Sequence, residues 1–209
     1  MGSADFFNSK ADAWDAINQY PMEKIQSMLD MLGIKPGDTI LDAGTGTGVL
    51  LPLLMQYTGA GNITAIDYAE KMIEKARSKL TAGPPNALPA MQFIAADVLT
   101  YRFPAETFNH IICYSVFPHF EDKRGAIQKF AAELKPGGLL SVLHSSSRAK
   151  INGTHAHIRS RSVNSDYLLP AREYIPLLNR NGLTAEIAID DDEMFMLCGR
   201  KRQAPAKKG

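Results

Sequence analysis

Glycines at alternate positions of Leu41-Asp42-Ala43-Gly44-Thr45-Gly46-Thr47-Gly48 stand between a β-like run and a helix-length run, and this junction narrows the folds open to the chain. Thr39 to Ala43 reads as a short apolar strand after the turn Pro36-Gly37-Asp38, and Val49 to Tyr57 reads as a helix. Glycine at a strand–helix junction lets the backbone turn tightly and approach a ligand where a Cβ would collide. The ligand then lies beside a helix N-terminus, whose unpaired N–H groups suit a carboxylate or phosphate. A dinucleotide loop of the form Gly-x-Gly-x-x-Gly would need its third glycine at Val49. The spacing here is Gly-x-Gly-x-Gly instead, with Asp42 two residues ahead. An acid there is awkward beside a pyrophosphate but can bind a ligand ammonium, directly or through water.

The rest of the chain repeats the alternation. Strands are expected at Asn62 to Asp67, Met91 to Ala96, Phe108 to Tyr114 and Leu139 to Leu143, with helices at Ala69 to Leu80, Glu121 to Leu134 and Ala171 to Asn181. Thr184 to Ile189 and Glu193 to Cys198 read as two closing strands joined by an Asp190-Asp191-Asp192 hairpin turn. Such alternation predicts a three-layer α/β/α sandwich around a seven-stranded, mostly parallel sheet with one antiparallel strand near the C-terminus. Residues 1–200 are expected to form one domain. Within it, 1–35 is a helical cap, 36–200 the core and 144–170 a lid-like insert; 201–209 is a flexible basic tail. Three acids then close three successive strands: Asp42, Asp67 and Asp97. All three would open on one ligand crevice. Asp67 can accept hydrogen bonds from ribose hydroxyls, cap the helix that follows, or do both.

Bulk properties exclude several classes. A net charge of +1 over 209 residues gives no global attraction to nucleic acid or membrane. No apolar run nears the roughly 20 residues of a membrane span, and the polar, acidic start predicts no signal peptide. Cys113 and Cys198 sit in apolar runs and read as reduced core residues of a cytoplasmic protein. No metal site is expected.

Taken with their context, these motifs resemble class I (Rossmann-like) S-adenosylmethionine-dependent methyltransferases. Asp42 to Gly48 looks like the family's first motif, Asp67 and Asp97 match the next two, and Leu134-Lys135-Pro136-Gly137-Gly138 looks like its turn before strand five. Phe6-Phe7 with Ala13-Trp14-Asp15 is similar to the N-terminal helix of the quinone-biosynthesis (UbiE/menaquinone-type) subfamily. The resemblance implies S-adenosylmethionine as cofactor and S-adenosylhomocysteine as product. It implies that Asp42, Gly44, Thr45, Gly46 and Gly48 hold the methionine end and Asp67 the ribose, with Tyr68 and Met72 beside it. Asp97 and Val98 would frame the adenine, and Tyr114 and Ser115 would line the methionine side.

Acceptor residues are sought after strands four and five. His119, between Phe117-Pro118 and Phe120, is the candidate base; orienting the acceptor, or simply packing the loop, are its other readings. The insert from His144 is locally basic. If its first part is helical, His144, Arg148, Asn152 and His155 share one face, as a lid for an acidic or phenolic small molecule; a solvated loop is the plainer reading. Tyr20 joins this acceptor set. The protein is expected as a monomer or homodimer without nucleic-acid partners. A non-catalytic cofactor-binding protein and an NAD(P)-dependent oxidoreductase are the alternatives.

Overall fold

The computed structural model describes residues 3–81, 91–158 and 167–203. The chain divides into two compact units, Met1–Arg102 and Phe103–Gly209.

The first unit starts with α1 (Ser3–Lys10), α2 (Trp14–Ile17) and α3 (Met22–Asp30). Only α3 buries a regular stripe, Ile25, Met28 and Leu29, spaced by three and one so that they share a helical face. Then come β1 (Ile40–Ala43), α4 (Leu51–Thr58), β2 (Ile63–Asp67), α5 (Glu70–Thr81) and β3 (Gln92–Ala95). Every residue of β1 and β2 is buried, as expected of parallel strands covered on both faces. β2 pairs in parallel with β1 on one side and β3 on the other, so Asp42 lies opposite Ala65 and Asp67 opposite Ala95. Helix α4 carries Pro52 in its first turn and stops at Gly59, whose φ of +81° a side chain would resist. Helix α5 buries Met72, Ile73 and Ala76 while its lysines and glutamates face outward.

The second unit comprises β4 (Phe108–Tyr114), α6 (Lys123–Glu133), β5 (Leu134–His144), α7 (Arg148–Ile158), α8 (Ala171–Arg180), β6 (Leu183–Asp190) and β7 (Phe195–Lys201). Asp122 caps α6 by accepting from Gly125 N at 2.8 Å. β4 runs parallel to β5, whereas β7 is antiparallel to both β5 and β6. After the buried Leu183, β6 alternates exposed and half-buried residues, which marks a half-covered strand. In its hairpin with β7, Asp191 Oδ1 accepts from the N–H groups of Glu193 and Met194, both at 2.8 Å. The seven strands form one sheet in the order β3-β2-β1-β4-β5-β7-β6.

Three expectations are corrected. Lys135 to Gly138 does not precede strand five but is looped out inside it: Phe108 faces Leu134 while His110 already faces Leu139. Glycine is required there because a Cβ on Gly138 would stand 2.9–3.0 Å from three backbone carbonyl oxygens. Second, the tail does not begin at Lys201, which ends β7 and donates from Nζ to the Leu134 carbonyl at 2.7 Å; residues 204–209 lie outside the described residues. Third, His144 is the last residue of β5 and not part of a lid helix, because its backbone stays paired opposite Phe195 of β7. The face proposed for His144, Arg148, Asn152 and His155 therefore does not exist as such.

Candidate functional site

The glycine loop crosses the end of β2. Gly44 N and Thr45 N both donate to the Ile66 carbonyl, at 2.8 and 3.0 Å, and Gly48 N returns to the Thr45 carbonyl at 2.9 Å. Gly46 N donates to Asp67 Oδ2 at 2.9 Å. These amides are thus spent on shaping the loop, and α4 starts only at Leu51, two residues after the expected Val49. Positive φ at Gly44, Gly46 and Gly48 (74°, 54° and 80°) makes the turn possible. Gly46 and Gly48 differ in kind. A Cβ on Gly46 would meet nothing within 4 Å, whereas one on Gly48 would press on Leu51 Cδ1 at 2.9 Å and Ala76 Cβ at 3.0 Å. Gly46 leaves room beside the loop; Gly48 lets the loop seat against α5.

The acids at the strand ends have distinct surroundings. Asp42 is 1% exposed, and its Oδ2 accepts from Thr45 Oγ1 at 2.7 Å. Burial pushes its carboxyl up to about 7, the charge of Asp67 adds to this, and the Thr45 hydroxyl opposes it. Asp67 is also buried, and its second oxygen, Oδ1, accepts from Ala69 N at 2.9 Å, which fixes the turn into α5. Asp97 is exposed and Oδ1 accepts from Leu99 N at 2.9 Å, while the following Val98 is buried. Loop glycines, a buried acid and a carboxylate tied to the loop by a backbone N–H thus gather at the ends of β1 and β2.

The matching family model is described as "Methyltransferase domain" and spans residues 40–138. A curated relative, the ubiquinone/menaquinone biosynthesis C-methyltransferase UbiE of Teredinibacter turnerae, is 30% identical over 146 residues, which is 67% of this chain and 58% of that protein. The chain resembles these methyltransferases over residues 40–138. The chain spans 58% of that relative's length. Among solved structures, it matches a methyltransferase in complex with the Haloferax volcanii Trm112 methyltransferase activator at a TM-score of 0.79, with 18% identity and 98% and 99% of the two chains covered. It matches magnesium protoporphyrin IX methyltransferase (ChlM) from Synechocystis, solved with bound S-adenosylhomocysteine, at 0.69, with 18% identity and 95% and 97% coverage.

Other expected site residues fall differently. Met72 is 1% exposed and packs with Ala11 and Ala69 beneath Phe7 and Trp14, so its contribution is packing of the N-terminal segment. Tyr68 is half-buried and meets the edge of Phe7, ring centroids 5.9 Å apart. Tyr20 accepts from Trp14 Nε1 at 3.0 Å. In the second unit, the Tyr114 and Ser145 hydroxyls are 2.8 Å apart, and burial raises the Tyr114 phenol. Ser115 takes φ 55°, a left-handed conformation that serine seldom adopts and that clusters at functional sites, while its N–H donates to the Leu143 carbonyl. Neither Ser145 nor the strain at Ser115 carries a local sequence signal. His119 ends a 3₁₀ turn, Phe117–His119, and is half-buried.

Two insert residues are occupied with the fold. Arg148 Nε lies 3.0 and 2.9 Å from the two Asp190 oxygens, and Asp190 Oδ2 also accepts from Ala171 N at the start of α8. Asn152, buried, donates to the Leu168 carbonyl and accepts from Leu168 N, each at 2.9 Å. It serves Leu168 as a neighbouring strand would. Arg148 and Asn152 therefore brace the insert, which departs from their expected role as acceptor ligands. The side chain of His155 lies outside the described residues. Asn152→Ala strips both partners from a buried backbone and is expected to cost about 2–3 kcal/mol, read as a lower urea midpoint with unchanged slope.

Proposed function

We propose that this protein moves a methyl group from S-adenosylmethionine to a small-molecule acceptor, acidic or phenolic in character. The carrying observation is the pair Asp42 and Asp67, two buried carboxylates on adjacent parallel strands, each hydrogen-bonded to the glycine loop. Asp42 would receive the cofactor ammonium; Asp67, already oriented by Gly46 N and Ala69 N, would keep lone pairs for the ribose hydroxyls. When bound, the cofactor supplies an activated methyl on its sulfonium, so the protein's work is largely positioning and exclusion of water. A small acceptor is supported by the near-neutral charge and by a relative named for ubiquinone/menaquinone biosynthesis. No helix among the described residues is long and apolar enough to cross a membrane. Two buried free cysteines, with Cys198 pushed up to about 12 by burial, fit a reducing cytoplasmic setting.

His119 is the group we assign to take the acceptor's proton at an imidazole nitrogen. His119→Asn is expected to lower kcat on a phenolic acceptor by about 100-fold while leaving cofactor affinity unchanged; equal rates would return His119 to a packing role.

Isothermal titration with S-adenosylmethionine, S-adenosylhomocysteine and NADH tests the cofactor assignment. The two adenosyl ligands should bind, NADH should not, and Asp67→Ala should weaken binding by about tenfold, the loss of a charge-assisted hydrogen bond. NADH binding, or full affinity in Asp67→Ala, overturns the assigned site.

A further inference from the structure

Thr47 is the one side chain between Gly46 and Gly48, and it is buried although it sits on a loop. The N-terminal segment reaches it. Thr47 Oγ1 donates to Asp15 Oδ1 of α2 at 2.5 Å, and the other Asp15 oxygen, Oδ2, pairs with Lys79 of α5. One turn earlier on α5, Lys75 pairs with Asp12 at 2.8 Å. Asn8 Oδ1 accepts from Lys71 N at 3.0 Å, and Phe7 and Trp14 cover Ala69 and Met72. Phe7, Ala11 and Trp14 are thus the apolar contacts, and Asn8, Asp12 and Asp15 the polar ones, of a single strap laid from α5 to the glycine loop.

We propose that Asp15 is a positioning residue for cofactor binding: through Thr47 it holds the glycine loop, so that closure of the 3–17 strap and occupancy of the cofactor site stabilise each other. This rests on the assignment of the glycine loop to the cofactor. The physical basis is freedom. A backbone with glycines on either side of Thr47 has many conformations to lose on binding, and a tether from outside removes part of that loss beforehand. The strap itself is weakly held. Helix α2 has four residues and buries none, and Ile17 stands 62% exposed. The two lysine–aspartate pairs are surface pairs, which salt screens. Such a segment belongs to the part of a fold that opens first. Linkage then requires that whatever the strap does for the cofactor, the cofactor does for the strap.

The test uses the full chain and S-adenosylhomocysteine. Thr47→Val removes the hydroxyl at constant shape, and Asp15→Asn removes the charge. Each is expected to raise Kd by about fivefold or more, with Asp15→Glu recovering part of the loss. Trypsin cleavage after Lys10 should be slowed by S-adenosylhomocysteine in the native sequence and much less so in Thr47→Val. Raising salt should weaken binding in the native protein, and the dependence should flatten in the Asp12→Asn, Asp15→Asn double variant. A structural role alone would lower thermal stability without altering ligand-dependent protection or the salt slope. Native Kd in Thr47→Val together with native protection at Lys10 overturns the proposal and leaves the cofactor site standing. Absence of binding by the native protein overturns both.

Discussion

Gly46→Ala is expected to fold and to lose its cofactor, whereas Gly48→Ala is expected to lose stability first. At Gly46 an added methyl meets no protein atom within 4 Å, so the folded state bears mainly the left-handed φ of 54°, a cost of about 1 kcal/mol. The methyl instead takes up the open space beside the loop, where the cofactor is proposed to lie. A fall in affinity on the order of 100-fold, about 2.7 kcal/mol, is expected by titration calorimetry. At Gly48 the same methyl adds to a φ of 80° a contact of 3.3 Å with the Ala76 backbone and closer ones with the Ala76 and Leu51 side chains. Backbone cannot step aside as a side-chain tip can, so α5 and the loop must separate. A cost of about 2–4 kcal/mol is expected, visible as a lower melting temperature. Reversal of the two phenotypes would show that the cofactor sits elsewhere.

A second large effect concerns pH. The buried Asp42 carboxyl stands at about 7 against an ordinary 3.8. Raised above its unfolded value, it favours the folded state while protonated; that contribution is complete below about 3.8 and is lost as pH climbs through 7. The ligand-free protein should therefore lose about 3 kcal/mol of Asp42-derived stability between pH 4 and pH 7, and Asp42→Asn should flatten that stretch of the profile. Cofactor binding should have the opposite slope. The ammonium proposed beside Asp42 requires the ionised carboxylate, so binding below pH 7 should expel its proton. Affinity should rise about 25-fold from pH 5.5 to pH 7.5. Calorimetry at pH 5.5 in buffers of different ionisation enthalpy should report release of close to one proton. Affinity independent of pH in this window would mean that the ammonium is held elsewhere.

Much of this was legible because it is local. The strand–glycine–helix junction, the acids at strand ends and the Asp191 hairpin each depend on neighbours in sequence, and residue chemistry encodes them directly. The errors share the opposite cause. Lys135-Pro136-Gly137-Gly138 has the composition of a turn, and only its pairing with β4 makes it a bulge within β5. His144 and Arg148 have helical spacing, yet β7 keeps His144 in the sheet. Arg148 and Asn152 look like free ligands until Asp190 and Leu168 arrive from 42 and 16 residues away. The Thr47–Asp15 bond spans 32 residues and gives no periodic signal at all.

The placement of β7 bears on how this chain leaves the ribosome. β7 is later in sequence than either strand it joins, yet it lies between β5 and β6. Until it is synthesised, β5 keeps an open hydrogen-bonding edge and β6 has nothing to pair with. From His144 to Lys201 is 201 − 144 = 57 residues, which translation covers in about 3–11 s at 5–20 residues per second. For that interval the nascent chain presents an apolar strand edge, Leu139-Leu140-Ser141-Val142-Leu143, of the kind that recruits other chains. Slow codons or a stall in this window should therefore favour aggregation far more than the same pause placed earlier in the message.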